Sequence, residues 1–389
     1  MATKALNILT SLRLTVICLV LALGLVFFGT LAQVKWGLYV VQHDFFGSFL
    51  VWWKPQGANW RVPVWPGGYL LGGVLLANLI AAHIKRFKFT RKKIGIFIIH
   101  AGLILLLVGQ LFTQLFQVES FMRVEEGESK NYSESSMHSE LAVIDTTDPQ
   151  YNTVVAIPEH LLSSRDEISD PALPFKLKVH SFYENSTPAV AREGRSLNFE
   201  KRELATAMDD RNIPASSVEV VTDEGSKGTW QVSNWLSESR LVQNISQQIG
   251  SRLNPDFSAP PTFNYKGHNY ELVMRPIRYY KPFTLKLEDF THETYKGTDV
   301  PKNYSSRVQL INPDTKENRE VLIYMNNPLR YNHETYYQAS FEPGDKVTIL
   351  QVVRNPSAIT PYVACIMVGG GLLVQFLSHL VAFARKRTA

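Results

Sequence analysis

Residues Ile94–Phe116 read IGIFIIHAGLILLLVGQLFTQLF, and this stretch decides the fold of the chain. The hydrocarbon core of a membrane is about 30 Å thick and requires roughly 20 apolar residues in a helix. The stretch has that length and contains no acidic or basic residue except His100, which predicts a transmembrane helix.

Three further stretches of the chain are similarly apolar. They are Leu12–Ala32, Tyr69–Phe87 and Pro361–Ala384. A soluble protein would have to bury all four in one core, so we expect an integral membrane α-helical bundle of four transmembrane helices. The first stretch has one alternative, a signal peptide cleaved near Ala32. Its apolar run is long for such a segment, which favours a retained helix.

Charge is divided unequally between the apolar stretches and the rest of the chain. Of the 35 acidic residues, 34 lie between residues 117 and 360, together with 26 of the 40 basic residues, a net charge of −8. The remainder holds 14 basic residues and one acidic residue, Asp44. The sequence therefore predicts a polar, acidic domain on a basic-flanked membrane anchor. Since the basic residues cluster at membrane ends, nothing argues for nucleic acid binding.

Lys and Arg in short loops stay on the cytoplasmic side of a membrane. Residues 85–93 hold six basic residues and no acidic one, and the basic run 385–387 lies near the end of the chain. Placing these segments inside puts both termini in the cytoplasm. We therefore expect residues 1–116 to form three transmembrane helices with a Trp-rich outer loop at 34–68. Residues 117–360 form an outer domain, and residues 361–389 form the fourth helix with a basic cytoplasmic tail.

The outer segment is dominated by alternation of apolar and polar residues. Examples are Phe175–Phe182, Phe283–Phe290, Ser306–Leu310 and Lys346–Val353. A period of two is typical of strands with one buried face, and Pro-rich and Asn-rich breaks separate them. The segment therefore predicts a large, mainly-β extracytoplasmic domain, sandwich-like or a related antiparallel fold. One amphipathic helix is expected at Asn234–Ile249.

Motifs for catalysis are missing from the sequence. The two cysteines, Cys18 and Cys365, both lie in apolar stretches, so there is no C-x-x-C of a thioredoxin-like protein and no C-x-x-C-H of a c-type cytochrome. The His-Glu pairs at His292 and His333 have no second histidine four residues later, as a zinc protease helix requires. We therefore expect no turnover by this chain alone.

The outer loop holds five of the seven tryptophans, namely Trp36, Trp52, Trp53, Trp60 and Trp65. One explanation is an aromatic belt at the membrane surface. The other is a flat apolar platform for a planar ligand or a partner protein. The sequence does not separate the two.

Three histidines lie within apolar stretches at one depth, in the cytoplasmic third of the membrane. His100 is seven residues beyond Lys93, or roughly 10 Å into its helix. His83 lies near the inner end of the second stretch, and His379 precedes the basic tail by a similar distance. Ionisable groups at such depth tend to face a functional site, and His is a common axial ligand of haem iron. A neutral histidine hydrogen-bonded between helices remains the alternative for each.

Several motifs, in order along the whole chain, resemble the ResB family (also called CcsB) of system II cytochrome c biogenesis proteins. They are Ser11–Thr15, Gly29–Gln33, the histidine helix Gly95–Gly109, Gly297–Ser306, Met325–Tyr331, Tyr337–Phe341 and Leu350–Pro356. Three spans, a large exported domain and a last span also follow the family pattern.

The resemblance implies a protein of the bacterial inner (cytoplasmic) membrane that works with a multi-span partner of the ResC/CcsA type. The pair moves haem b across the membrane and presents it to apocytochrome c. The third-span histidine of the family corresponds to His100, the expected axial ligand. His83 and His379 are candidates from their depth alone.

Two other functions stay open at this point. The chain could be a membrane-anchored scaffold or binding subunit of a respiratory complex, without haem of its own. In that case His100 only packs, and its replacement leaves cytochrome assembly intact. Alternatively, His100 could belong to a quinone or redox site.

Overall fold

The computed structural model describes the chain except residues 1, 56–59, 87–89, 91–92, 191–195, 206–210, 250–251, 255, 299–300, 343, 345 and 389. Its helices are α1 (Ala2–Leu9), α2 (Leu12–Val41), α3 (Gly68–Arg86), α4 (Ile94–Phe116), α5 (Glu159–Ser164), α6 (Asn234–Ser237), α7 (Ser239–Ile249) and α8 (Thr360–Thr388).

Four of these helices are long and apolar enough to cross a membrane. The spans are Leu12–Leu38, Gly68–Lys85, Ile94–Phe116 and Thr360–Arg387. In the most apolar window of each span, only 6–17% of the residues are buried inside the protein, as expected of side chains that face lipid. The predicted number and positions of the apolar helices are confirmed.

The first apolar helix is longer than the sequence predicted. It continues past Ala32 to Val41 and is followed by a π-helical turn over Gln42–Phe46. Nothing between Ala32 and Val41 stops a helix except Gly37, where the backbone turns to φ 81° and kinks the chain. Glycine tolerates that conformation without steric cost; with ψ at 161° the backbone there is not helical, so the first helix is interrupted at Gly37 and a short second segment follows up to Val41.

Helices α4 and α8 pack closely along three glycines spaced seven residues apart. A Cβ atom on Gly95 would lie 2.7 Å from the carbonyl oxygen of Gly371, and one on Gly102 would lie 3.0 Å from that of Ala364. One on Gly109 would overlap Thr360. Seven residues nearly complete two helical turns, so these glycines form one seam facing α8. Small residues allow such close approach between membrane helices.

Polar side chains hold the ends of the apolar helices. Asn78, which is buried in α3, donates to the carbonyl of Leu9 and accepts the Thr15 hydroxyl at 2.7 Å. These contacts satisfy backbone and side-chain groups at the break between α1 and α2. Asn355 bonds to Thr113 and Gln117 at the end of α4.

Eighteen strands lie in the described residues. They are β1 (Leu50–Trp53), β2 (Val62–Pro66), β3 (Val118–Glu125), β4 (Ser129–Asp145), β5 (Thr153–Pro158), β6 (Glu167–Ser169), β7 (Lys176–Tyr183), β8 (Ser186–Val190), β9 (Leu197–Lys201), β10 (Ala215–Thr222), β11 (Gly225–Ser233), β12 (Thr262–Tyr265), β13 (His268–Thr294), β14 (Pro301–Asn312), β15 (Glu317–Tyr324), β16 (Leu329–Tyr331), β17 (Glu334–Phe341) and β18 (Val347–Arg354).

The strands form a ten-stranded sheet, a four-stranded sheet and two hairpins. The large sheet runs β15-β14-β13-β4-β3-β18-β17-β16, with β12 and β5 paired beside β13 and β4. The small sheet runs β11-β10-β7-β6, and the hairpins are β1-β2 and β8-β9. Every pairing with a resolved register is antiparallel. The predicted mainly-β domain is confirmed.

Two hydrophobic cores lie within this β domain. The first combines Leu141 and Leu272 of the large sheet with Leu177 and Val218 of the small sheet, so here two sheets pack face to face. The second is built from one half of the large sheet, where Leu285, Val308, Tyr336 and Leu350 meet. The long strand β13 contributes to both cores.

The amphipathic helix expected at Asn234–Ile249 is present as two segments. Helix α6 is capped at its start by Ser233, whose hydroxyl accepts the Trp235 amide, and the next residue after the helix, Glu238, is extended. Helix α7 then continues to Ile249, with Ile245 buried.

The chain forms two compact units. One comprises Met1–Val118 with Arg354–Ala389 and contains the apolar helices and the β1-β2 hairpin; the other comprises Glu119–Ala205 with Asp210–Val353.

Candidate functional site

Two of the three candidate histidines lie in direct contact. The Nδ1 atom of His100 on α4 is 3.2 Å from the Nε2 atom of His83 on α3. Their ring centroids are 4.7 Å apart and the rings are nearly perpendicular, at 88°. Both side chains are half-buried. The structure thus joins two apolar helices through a pair of imidazoles.

The hydrogen bonds of this pair define which nitrogen carries each proton. Nδ1 of His83 lies 3.0 Å from the carbonyl oxygen of Leu79, one turn earlier in α3. A carbonyl only accepts, so Nδ1 of His83 is the donor. In the tautomer of His83 that carries its single proton on Nδ1, the Nε2 atom is an acceptor. His100 therefore donates its Nδ1–H to His83, and its own Nε2 keeps a lone pair.

The rotation of α4 explains why His100 faces α3. Successive residues of a helix are about 100° apart, so His100 lies about 200° from Gly102 around the axis. Gly102 belongs to the seam against α8. His100 therefore projects from the opposite side of the helix, toward His83. Phe97, one turn earlier, places its ring edge-on to His83 at 6.3 Å.

His379 is not part of this pair. It is exposed on α8, and its Nε2 lies 2.7 Å from the side-chain amide nitrogen of Gln375 on the same helix. The amide N–H donates to the ring. All three histidines were predicted to lie at one depth in the membrane. In the structure, two of them, His83 and His100, are in contact.

The His83–His100 pair fits one requirement of a haem ligand. A histidine that binds a metal donates its other ring N–H to an acceptor, which fixes the tautomer and the orientation of the ring. His83 is that acceptor for His100. The Nε2 atom of His83 already accepts the hydrogen bond from His100, so it is not available to a metal. The chemistry of the pair therefore presents one metal-binding nitrogen, Nε2 of His100. His100, His83 and His379 all stay predictions as haem ligands.

The tryptophans of the loop divide into two groups. Trp65 is built into the fold, because its indole N–H donates to the Leu21 carbonyl at 3.1 Å and its ring lies against Gly24. Trp52, Trp53 and Trp60 are at least half exposed. Only part of the loop is therefore available as an aromatic surface.

An open cavity of about 530 Å³ lies beside the exposed Trp52, within the unit that contains the apolar helices. We call it the loop cavity, and its lining comprises His43, Asp44, Ser48, Phe49, Leu50, Trp52, Lys54 and Arg61. The charged residues of this lining were not predicted as site residues from the sequence. One signal was available, since Asp44 is the single acidic residue outside residues 117–360 and stands next to His43.

Ser306 and Gln338, each from a motif of the outer domain, form a buried polar network with Thr348. The Ser306 hydroxyl lies 2.6 Å from Oε1 of Gln338 and 2.8 Å from the Thr348 hydroxyl, and the Gln338 amide donates to Thr348 at 2.8 Å. The network connects β14, β17 and β18. Its members satisfy one another away from water, which stabilises a specific strand arrangement. These motif residues therefore hold the β fold together.

Among the described residues, no group of three or more His, Cys, Asp and Glu side chains is arranged to hold a metal ion.

Comparison with known proteins identifies two similarities. Residues 267–349 match the model of the ResB-like family, and this segment runs through β13 to the start of β18. The chain is also 25% identical over 312 residues to Protein NrfI of Wolinella succinogenes. That alignment covers 80% of this chain and 30% of NrfI, so the chain spans less than a third of this relative's length. Both findings agree with the motifs along the sequence, and they show similarity of this chain to the ResB-like family.

Proposed function

We propose that this chain is a cytochrome c biogenesis factor. With a multi-span partner of the ResC/CcsA type, it takes part in moving haem across the membrane and in presenting it to apocytochrome c. The observation that carries the proposal is the His83–His100 pair, because it leaves one oriented imidazole nitrogen inside an apolar helix bundle. The ResB-like match supports the same role.

In this proposal His100 supplies one axial ligand to haem through Nε2. A bound haem b contributes an iron that accepts imidazole nitrogen and a porphyrin that suits apolar walls. His83 acts through His100, because it accepts the hydrogen bond from Nδ1 of His100 and thereby fixes the orientation of the His100 ring. The second axial ligand comes from the partner or a neighbouring helix. His379 takes no part.

The proposed location is the bacterial inner membrane, with both termini in the cytoplasm. The link between α3 and α4 and the end of α8 carry the basic clusters, which favours a cytoplasmic position for both. The β domain then lies outside, where apocytochrome c is available. It holds no cysteine, so it cannot form mixed disulfides with a client. Its role is to bind the partner or the apocytochrome, and lipid surrounds the four spans.

The test is an absorption spectrum of the full chain, purified in detergent after co-expression with a ResC/CcsA-type partner. The wild type should show a Soret band and reduced α and β bands. We expect His100→Ala to lose or shift them. His83→Ala should weaken haem retention by about 10–100-fold, the usual effect of losing the partner of a metal-binding histidine.

His379→Ala is the matched control, because it also removes an imidazole from an apolar helix. Its spectrum should equal that of the wild type. A haem-free wild-type complex, or a spectrum indifferent to His100, would favour a scaffold that binds apocytochrome through its β domain.

A further inference from the structure

A buried lysine and a buried carboxylate meet inside the β domain, in a cluster that the proposed function does not use. We propose that Lys281 and Glu334 form an intramolecular isopeptide bond, an amide between the lysine Nζ and the side-chain carbonyl carbon of the glutamate. The bond joins strands β13 and β17 covalently. This inference is independent of the proposed function, because no haem takes part in it.

The two side chains are in close contact and have little access to water. The Nζ atom of Lys281 lies 2.5 Å from Oε1 of Glu334, and the side chains are 5% and 11% exposed. Lysine is rarely buried to this extent. The other lysine–carboxylate pairs of the described residues, for example Lys176 with Glu167, each have at least one side chain that is more than half exposed. Among these pairs, water therefore reaches Lys281 and Glu334 least.

A bulge in β13 explains why Lys281 points toward the second hydrophobic core. The register of β13 against β4 shifts between Tyr280 and Leu285, and Lys281 lies in this irregular segment. Bulges bend a strand and change the direction of its side chains. Phe283, two residues later, is a buried member of the second core. Residues two apart in a strand project to one side, and the low exposure of the Lys281 side chain agrees with this.

A tyrosine of β17 completes the cluster. The Tyr336 hydroxyl donates to Oε2 of Glu334 at 2.7 Å, and Tyr336 is fully buried. Burial and the Glu334 carboxylate raise the pKa of Tyr336, so its hydroxyl keeps the proton and remains a donor. The ring of Phe283 lies 6.1 Å from that of Tyr336 and adds an apolar wall. The glutamate thus has an amine at one oxygen and a hydrogen-bond donor at the other.

These groups can form an amide without any further reactant. A proton passes from the Lys281 ammonium to Oε1 of Glu334, which leaves an amine and a carboxylic acid and removes two buried charges. The Nζ lone pair then attacks Cδ, while the hydrogen bond from Tyr336 stabilises the negative charge that develops on Oε2. One N–C bond forms and the bond from Cδ to Oε1 breaks. Water leaves with that hydroxyl and one proton of the amine, and no atom is oxidised or reduced.

Burial favours the amide over the ion pair. Well-oriented groups in one molecule react as though each were present at about 10⁵–10⁸ M, which exceeds the concentration of water. The pair of Arg275 and Glu140 is as deeply buried, with side chains 6% and 8% exposed, but a guanidinium stays protonated and is no nucleophile. The isopeptide bond also gives the β domain a covalent cross-link, since residues 117–360 hold no cysteine for a disulfide.

The test is the intact mass of the full chain, purified in detergent and measured after denaturation in urea. We expect the wild type to be lighter than its sequence by one water molecule, and proteolysis to release a branched peptide that joins Lys281 to Glu334. Lys281→Arg keeps the positive charge but has no reactive amine, so its mass should equal that of its sequence. Lys176→Arg is the matched control in an exposed pair and should keep the loss of water.

A second variant tests the part that Tyr336 takes in the reaction. Tyr336→Phe removes the hydrogen bond to Oε2 and leaves the aromatic ring in the core. It should slow the formation of the bond by about 100–1,000-fold, the usual cost of losing one donor to a developing oxyanion. Isotope-labelled chain is collected at intervals after synthesis, and the yield of the branched peptide measures this rate. Circular dichroism verifies that each variant is folded.

Two results overturn the proposal. One is a wild-type chain of full sequence mass, in which Lys281 and Glu334 occur only in separate peptides, since the contact is then an ordinary buried ion pair. The other is a loss of water that persists in Lys281→Arg or that maps to different residues. The wild-type mass is measured directly, so the first result does not depend on whether any variant folds. Either result leaves the proposed function unchanged, because the haem spectrum does not enter the test.

Discussion

At the residue scale, the histidine pair shows what depth along a helix can and cannot predict. Counting residues from the basic ends gave His83, His100 and His379 the same depth, because that count depends on the sequence alone. Which of them meet depends on rotation about each helix axis. The glycines Gly95 and Gly102 indicate the rotation of α4, because they mark the side of this helix that faces α8. The donor role of Nδ1 in His83 depends on the Leu79 carbonyl, which no sequence pattern displays.

Also at the residue scale, the ion pair of Arg123 and Glu342 predicts a pH-dependent stability. Arg123 donates Nε–H and Nη2–H to the two carboxylate oxygens at 3.0 and 2.8 Å. Hydrogen bonding from Arg123 holds the pKa of Glu342 below its ordinary value. A carboxyl with a lowered folded pKa stabilises above its unfolded pKa, and this stabilisation is lost as pH falls through the folded pKa.

Glu342→Gln should therefore lower the free energy of unfolding by about 1 kcal/mol at pH 7, because Arg123 is partly exposed and solvent weakens the pair. The difference from wild type should shrink as the pH is lowered through the folded pKa of Glu342, which urea titrations at several pH values measure. Glu167→Gln, in the exposed pair with Lys176, serves as the control and should have little effect at any pH. A pH-independent loss at Glu342 would show that packing, not charge, stabilises this contact.

At the element scale, local patterns identified the elements but not their partners. The alternating runs at Phe175–Phe182 and Lys346–Val353 became β7 and β18, because alternation is a property of neighbouring residues. The order of the large sheet depends on contacts between distant segments. Gln351 of β18 donates to Glu119 of β3, 232 residues away in sequence. Such pairings follow from packing and cannot be deduced from periodicity.

The glycine seam between α4 and α8 provides a prediction at the same scale. Gly102→Val should destabilise the helix pair by about 1–3 kcal/mol, because the added atoms meet Val368 and the Ala364 carbonyl. Gly370→Val is the matched control, since a Cβ there has nothing within 4 Å. Thermal unfolding in detergent should lower the midpoint of the Gly102 variant only. Equal effects at both positions would mean that valine itself, and not close packing, is responsible.

At the scale of the whole molecule, the division of charge predicts the topology. If the basic clusters are cytoplasmic, a cysteine at Lys176 is outside and one at Thr90 is inside. Each is introduced into a chain in which Cys18 and Cys365 are replaced by Ala. A membrane-impermeant maleimide added to intact cells should label Lys176→Cys and leave Thr90→Cys unlabelled until the membrane is permeabilised. The opposite pattern would invert the proposed orientation.

Strand β13 has a consequence for how the β domain responds to damage. Its 27 residues supply Leu272 and Met274 to one core, then Phe283 and Leu285 to the other. Regions of a protein can open independently only where few contacts connect them. Here one strand crosses from one core to the next, although its pairing with β4 shifts register between Pro276 and Arg278 and between Tyr280 and Leu285, so the cores share a single element. We therefore expect the two halves of the domain to unfold as one cooperative unit. A destabilising substitution in either core should lower the stability of both.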